Sequence, residues 1–426
     1  MNYLEIDKNH TWHPYNSLPS KTKILGVKKT KKCKIYLESG EKLIDGMSSW
    51  WSAIHGYNNK FLNKSLKKQL KIMPHIMFGG LTHKPASILS KKLVDLTGLN
   101  SVFLCDSGSV SVEVALKTAI LYQKAKGKDK YKFLALKNAY HGDTLGAMSV
   151  CDKENSMHSL YGTYLSQNIF TQAPSLGFDS DCSKELKELE EILKKHHNEI
   201  AGFIIEPVVQ GAGGMRIYNP KYLETAKKFC EKYDILFIFD EIATGFGHTG
   251  KMFAYEHTNI KPDILTIGKG LTGGYMTMAA MLTTKDISDT ISNGQIGVLM
   301  HGPTFMANPL ACSVANASID LLLNSPWQKR VLKIEKIFGK ELEKIKDSKI
   351  VKNVRNIGVI GIIELKDDKY ASKLQDFCVE NGVWLRPFGK LFYSIVAYTI
   401  SKKELLKITK TMIDAIKYIE NHDEKF

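Results

Sequence analysis

From about residue 100 onward, short apolar runs alternate with longer stretches of helical periodicity, and this alternation restricts the fold more than any other feature of the chain. Ser101–Cys105, Lys132–Leu136, Gly202–Ile205, Ile235–Phe239, Ile264–Ile267 and Ala279–Thr283 read as strands. Val110–Lys126, Lys184–Asn198 and Tyr222–Tyr233 read as helices between them. A short strand without polar alternation is covered on both faces, as in a parallel sheet sandwiched by helices. The expected class is therefore α/β, with a mainly parallel sheet between helices. After Pro309 the pattern changes. Helices at Leu310–Leu323, Lys329–Lys346 and Lys402–Glu420 accompany short strands at Ile357–Glu364 and Leu391–Ser394, which predicts a smaller α+β domain. The strand-like segments Lys34–Leu37 and Lys42–Asp45 are expected to join it. With 426 residues the chain exceeds one ordinary core. The predicted division is 1–49 as an N-terminal segment of the small domain, 50–312 as the large domain and 313–426 as the C-terminal small domain.

Charge and cysteine content narrow the class. The net charge of +15 raises the question of a nucleic-acid partner. Only Arg216, Arg330, Arg355 and Arg386 are arginines, however, and the lysines are spread over helical surfaces without interleaved aromatics. That is a solvated lysine-rich surface, and no nucleic-acid or membrane partner is expected. No apolar run reaches the length of a membrane span. The start MNYLEIDKNHTWHPY has no basic stretch followed by an apolar core, so no secretory signal is read there. Seven scattered cysteines without a CxxC pair fit a reducing, cytoplasmic setting and argue against a metal framework.

Two motifs match a pattern but not its mechanics. Gly268–Gly273 spells GxGxxG after a strand, yet GYMTM and another strand-like run follow where a dinucleotide fold needs a helix. Gly245–Lys251 approaches a phosphate loop, but Met252 stands where a hydroxyl would bind magnesium.

Four other features form a constellation. Cys105–Ser109 is a small-residue turn between a strand and a helix, suited to an anion at the helix N-terminus. Tyr140, after the strand Lys132–Leu136, can stack on a flat ring. Asp240 ends a strand, where ligands of open α/β sheets sit; a carboxylate there can keep a pyridinium nitrogen protonated. Lys269 lies two residues past a strand between two glycines, which leave room for a bulky adduct. Each alone has an ordinary structural reading: a turn, a packed tyrosine, a helix cap, a solvated amine. Together, in this order along a doubly wound sheet, they are the parts that pyridoxal phosphate requires.

The sequence also resembles a known family. DEIATGFG (Asp240–Gly247) and LTIGKGLTGG (Leu265–Gly274) are similar to the class III aminotransferases of the pyridoxal-phosphate-dependent fold type I. WHPYNS (Trp12–Ser17), DGMSSWWSAIHGYN (Asp45–Asn58), MFGGLTH (Met77–His83), DSGSVSVEVA (Asp106–Ala115) and YHGDTLGAMSVCD (Tyr140–Asp152) extend the resemblance. So do IIEPVVQGAGGM (Ile204–Met215), HGPTFMANPLAC (His301–Cys312) and WLRPFGK (Trp384–Lys390). WHPY, MSSWW and WLRPFGK separate it from ornithine- or GABA-type relatives and place it in the branch serving biotin biosynthesis.

That resemblance implies a cofactor, pyridoxal 5'-phosphate, attached through Lys269, which also moves protons. Asp240 would hold the pyridinium N–H. Gly108 and Ser109 would bind the phosphate, joined by Pro303 and Thr304 from the partner subunit of a homodimer with shared sites. Tyr140 would stack on the ring and Ile242 pack on its other face. Tyr15, Trp50, Tyr140, Lys269 and Gly302 would line the substrate site, Arg386 would grip a substrate carboxylate, and Glu206 would lie near the cofactor. The implied substrates are S-adenosylmethionine as amino donor and 8-amino-7-oxononanoate as acceptor. The alternatives are another class III ω-amino-acid aminotransferase, or the same acceptor with a different donor. The chain departs from the family at His248, commonly an arginine, and in Ser394–Tyr398; both are expected near the donor's site.

Overall fold

The computed structural model describes residues 2–152 and 157–422. Its largest sheet has seven strands in the spatial order Ser101–Cys105, Ala279–Thr283, Ile264–Ile267, Leu236–Asp240, Ile200–Ile205, Lys132–Leu136, Ile169–Thr171. Every pair is parallel except those made by Ala279–Thr283, which runs antiparallel to both neighbours. The reason is the length of its connection. Residues 268–278 contain one 3-10 turn and no crossover helix, too little to carry the chain back for a parallel pairing. The central strands Ile200–Ile205 and Leu236–Asp240 are buried at every position, as their uninterrupted apolar sequence requires.

The remaining strands form smaller sheets. Val27–Lys31, Lys34–Leu37 and Lys42–Asp45 make an antiparallel meander, and Val383–Trp384 adds to it in parallel beside Ile44 and Asp45. N- and C-terminal segments thus share one sheet. Val351–Ile357, Ile360–Leu365 and Leu391–Ile395 form an antiparallel sheet, against which the helices Trp327–Leu342 and Ala371–Glu380 pack, with Lys402–His422 packed on those two helices.

The run read as one strand, Ile357–Glu364, is a reversal between two strands. It turns at Gly358, whose φ of +53° suits glycine and whose missing Cβ would collide with the His248 carbonyl. The helices Lys84–Thr97 and Ala371–Glu380 and the strand Ile169–Thr171 were not read from the sequence, whereas the helix expected over Lys64–Lys71 extends from Lys60 to Ile72. Among the described residues no helix is long and apolar enough to cross a membrane.

What matters for function is the carboxyl edge of the large sheet. The chain leaves Cys105 into the helix Gly108–Ala125, leaves Leu136 into the loop bearing Tyr140, ends a strand on Asp240, and passes Ile267 to Lys269. Four chemically capable residues are delivered to one edge because parallel strands all end on the same side.

Candidate active site

A cleft of about 380 Å³ opens at that edge. Tyr15, Trp50, Gly108, Ser109, Tyr140, Glu206, Asp240, Ile242, Lys269 and Arg386 all line it. Residues more than 370 positions apart in sequence are thereby brought to one site.

Asp240 is 5% exposed and tightly oriented. His141 Nδ1 lies 2.7 Å from Oδ2, Ile242 N donates to Oδ1 at 3.0 Å, and Thr266 Oγ1 donates to the same oxygen at 3.3 Å. A carboxylate has about four acceptor sites, so a further N–H donor arriving from the cleft can still be accepted. His141 Nε2 has no partner among the described residues. Buried, it is cheaper as a lone pair than as an orphan N–H, which assigns the ring proton to Nδ1, donating to Asp240.

Lys269 has φ +40°, left-handed backbone that an L side chain adopts only under constraint. No described side chain hydrogen-bonds its ammonium, which lies 5.7 Å from the centre of a Trp51 ring. Burial lowers its pKa, against the opposing pull of Asp240 and Glu206. The neutral, nucleophilic amine is correspondingly easier to reach.

Glu206 is buried and accepts from Tyr140 N at 3.1 Å and Gly211 N at 2.9 Å. Burial pushes its carboxyl up to about 7; His141 opposes the rise and the charge of Asp240 adds to it. The Tyr140 hydroxyl is 3.3 Å from that of Tyr15, which donates to Asp143 at 2.6 Å. Burial raises the pKa of both phenols. The loop after Tyr140 is pressed against the helix N-terminus. Gly142 has φ +131°, a Cβ there would collide with Ser109 Oγ, and that oxygen accepts from Asp143 N at 3.1 Å.

At the head of the helix Gly108–Ala125, the Ser107 hydroxyl caps Val110 N at 3.4 Å. The N–H groups of Gly108 and Ser109 have no acceptor among the described residues, so the first turn can hold an anion. A Cβ on Gly108 would press on Ile242, which is why these two can sit side by side. On the far side, the Arg386 guanidinium carbon lies 5.1 Å from the centre of a Trp50 ring, and no described carboxylate pairs with it.

Gly302, Pro303 and Thr304 stand apart. They line no part of this chain's cleft and lie in a surface loop where Phe103 meets His301 edge-on and Lys117 holds the Met300 carbonyl. The departures expected beside the donor also lie elsewhere. His248 and Tyr398 are buried and do not line the cleft. His248 has Nε2 2.8 Å from the Trp51 carbonyl and Nδ1 2.8 Å from that of Gly245, while Tyr398 donates to the Phe246 carbonyl at 2.9 Å. His248 nevertheless acts on the cleft's lining through Trp51, whose carbonyl it contacts, and through its charge interaction with Lys269.

Sequence reasoning missed Trp51, His141 and the turn Gly211–Gly213, all of which line the cleft. Trp51 and His141 had one available signal each, adjacency to Trp50 and to Tyr140 in motifs already singled out.

Comparison with known proteins places this arrangement. The model of the family "Aminotransferase class-III" matches residues 16–416. Adenosylmethionine-8-amino-7-oxononanoate aminotransferase of Buchnera aphidicola subsp. Acyrthosiphon pisum is 48% identical over 97% of this chain and 98% of its own. The Saccharomyces cerevisiae protein of the same name is 44% identical over 98% and 96%. Among solved structures, the aminotransferase of that name from Methanocaldococcus jannaschii superposes with a TM-score of 0.91 at 33% identity, covering 98% of this chain and 99% of that one. An omega transaminase from Pseudomonas jessenii in complex with PMP gives 0.90 at 26% identity, covering 97% of each chain. The chain belongs to the class III aminotransferases, pyridoxal-phosphate-dependent enzymes.

Proposed function

We propose that this enzyme transfers an amino group from S-adenosylmethionine to 8-amino-7-oxononanoate, giving 7,8-diaminononanoate in biotin biosynthesis. Six relatives bearing that name match nearly the whole chain at 43–48% identity. The observation that carries the reading within the site is the presence in one cleft of an amine, an oriented carboxylate and a guanidinium without a carboxylate partner among the described residues. These are the functions a keto acid with a carboxylate besides its reacting ketone needs.

The residues fit pyridoxal phosphate on the chemistry of the donor set. Two free N–H groups at a helix N-terminus suit a phosphate, an oriented buried carboxylate suits a pyridinium, and a desolvated amine suits an aldehyde. When bound, the cofactor supplies an electron-accepting ring. Gly108 and Ser109 anchor the phosphate. Asp240, held by His141 and Thr266, keeps the proton on the ring nitrogen. Tyr140 and Ile242 would confine the ring. Lys269 would hold the cofactor and serve as the base that takes and returns the proton at the reacting carbon. Tyr15 and Trp50 cover the acceptor's chain and exclude water, and Arg386 takes its carboxylate. Two half-transfers run through this one site, the donor first.

Gly302, Pro303 and Thr304 would complete the site of a second copy, making the active unit a homodimer. Residues 1–49 with 313–426 would form the smaller domain beside 50–312, a division supported by the pairing of Val383–Trp384 with Ile44–Asp45. The deciding experiment is to assay the purified, cofactor-loaded protein with 8-amino-7-oxononanoate against a panel of amino donors. Turnover with S-adenosylmethionine is expected. Turnover of this acceptor only with another donor would move the assignment to that donor. Turnover only of ω-amino acids with other ketones would make the protein a general class III transaminase.

A further inference from the structure

Among the four arginines of this lysine-rich chain, Arg355 has the most fully engaged guanidinium. It lies on Val351–Ile357, an edge strand of the three-stranded C-terminal sheet. Its Nε donates to the Met215 carbonyl at 2.7 Å and its Nη2 to the Gly214 carbonyl at 2.6 Å. Its Nη1 donates to Asn353 Oδ1 at 2.8 Å and Glu364 Oε2 at 2.7 Å. Gly214 and Met215 end the turn between the short strands Val209–Gln210 and Arg216–Ile217, and that turn is a wall of the cleft. Its other end is held from the opposite side, where Gly211 N donates to Glu206.

Two further observations give the grip a purpose. Met215 has φ +48°, a left-handed conformation that a residue with a long side chain adopts only where its surroundings impose it. The sheet bearing Arg355 also supplies part of the cleft's lining. Arg355 is in register with Ile362 and Ile362 with Tyr393, so Arg355 and Tyr393 belong to one cross-strand row. Tyr393 and Leu391 line the cleft. Fastening Arg355 to the turn therefore ties the position of Met215 to that of Tyr393, and both line the cleft.

We propose that Arg355 is a specificity-determining positioning residue: by locking the Gly211–Met215 turn to the sheet that carries Tyr393, it sets the width of the channel for the acceptor's apolar chain. The proposal rests on the aminotransferase reading of this cleft. It also explains an arginine where lysine is the chain's habit. An ammonium can keep the Glu364 contact, but it lacks the planar fork that reaches two successive carbonyls and a carboxylate at once.

The test compares Arg355→Lys with Glu364→Gln, which removes the charge partner and leaves the contacts to both carbonyls. Amide hydrogen exchange and steady-state kinetics are measured on the cofactor-loaded enzyme with keto acids of decreasing chain length. In Arg355→Lys, exchange across residues 211–216 should quicken tenfold or more, with 360–365 and 391–395 as slow as in wild type. The ratio of kcat/KM for the long acceptor to that for a short one should fall several-fold, chiefly through KM. Glu364→Gln should keep the protection of the turn and most of the ratio. Unchanged exchange at the turn, an unchanged chain-length ratio, or faster exchange of the whole sheet would each overturn the proposal. So would equal effects of the two variants. If wild type does not use 8-amino-7-oxononanoate, the substrate assignment fails separately, while exchange at the turn still decides whether Arg355 holds it.

Discussion

Arg386→Ala is the substitution from which most can be learned about the substrate. The guanidinium faces the cleft without a carboxylate partner among the described residues, and it sits over the Trp50 ring, 5.1 Å from its centre. That contact, worth about 0.5–1 kcal/mol at a partly exposed site, orients the side chain before substrate arrives. The bond made on binding contributes more. A hydrogen bond to a charged group contributes about 1.5–3 kcal/mol, and a two-pronged guanidinium–carboxylate pair lies toward the top of that range. The loss expected for the keto acid is therefore roughly tenfold to 150-fold in affinity. Arg386→Lys restores the charge but not the fork, so it should recover only part of this. The assay is steady-state kinetics of wild type and both variants with 8-amino-7-oxononanoate and with its methyl ester. The ester should be poor for wild type and nearly indifferent to substitution. If acid and ester lose equally, Arg386 supports the cleft rather than reading a carboxylate, and the reasoning is wrong.

Lys269→Ala should abolish turnover and covalent cofactor attachment, and borohydride reduction with peptide mapping of wild type should place the cofactor on Lys269 rather than Lys251. Because φ there is +40°, Lys269→Gly should melt higher than Lys269→Ala, by about 1 kcal/mol of stability, in paired thermal scans; equal melting would show that the backbone is not strained. Asp240→Asn should keep the fold by circular dichroism but slow turnover more than a hundredfold, a barrier increase of ~3 kcal/mol; activity within a few-fold of wild type would make the carboxylate merely structural. Glu241, buried and bonded to Thr244 Oγ1 at 2.6 Å and Tyr255 N at 2.8 Å, has its carboxyl pushed by burial from 4.5 to about 8. The folded state thus holds a proton that the unfolded state releases, so this group's contribution is fully present below pH 4.5 and is lost as pH rises toward 8. Glu241→Gln should flatten that part of the stability profile by a few kcal/mol; identical wild-type and variant slopes across the window in denaturant titrations would refute it.

How far the sequence could be read depended on whether a residue's role is local. The placement of Asp240 and Lys269 at the cleft was legible because a strand end is visible in the chain as an apolar run stopping, and parallel strands stop on the same side. Tyr140 was legible for the same reason. His141 stands next to it, yet its role lies in a bond to a carboxylate 99 positions away, which no local pattern encodes. Trp51 contacts Lys269 across more than 200 residues, and Glu206 joins Tyr140 to Gly211 through backbone N–H groups that carry no residue identity. The strand Val351–Ile357 was missed because it is an edge strand with a partly exposed, polar sequence, VKNVRN. The reversal at Gly358 was missed because apolar residues continue through it, and a turn without polar residues looks like more strand.

The backbone also shows where stability has been traded for the site. Fourteen described residues other than glycine have positive φ, and six of them, Tyr15, Trp50, Trp51, Asn138, Met215 and Lys269, line the cleft. Each such conformation costs on the order of 1–3 kcal/mol for a residue with a side chain. Six together rival the ~5–15 kcal/mol by which a folded protein exceeds its unfolded chain. They persist because the cleft stands on strands buried at every position and on grips such as that of Arg355, which over-determine the turns. Glycine would relieve the strain at any of the six. It would also delete an aromatic wall, the Asn138 amide, the turn's Met side chain or the amine itself. Selection for stability alone would therefore introduce glycine at these positions, and a chain that keeps side chains there is one in which those side chains act on whatever the cleft holds.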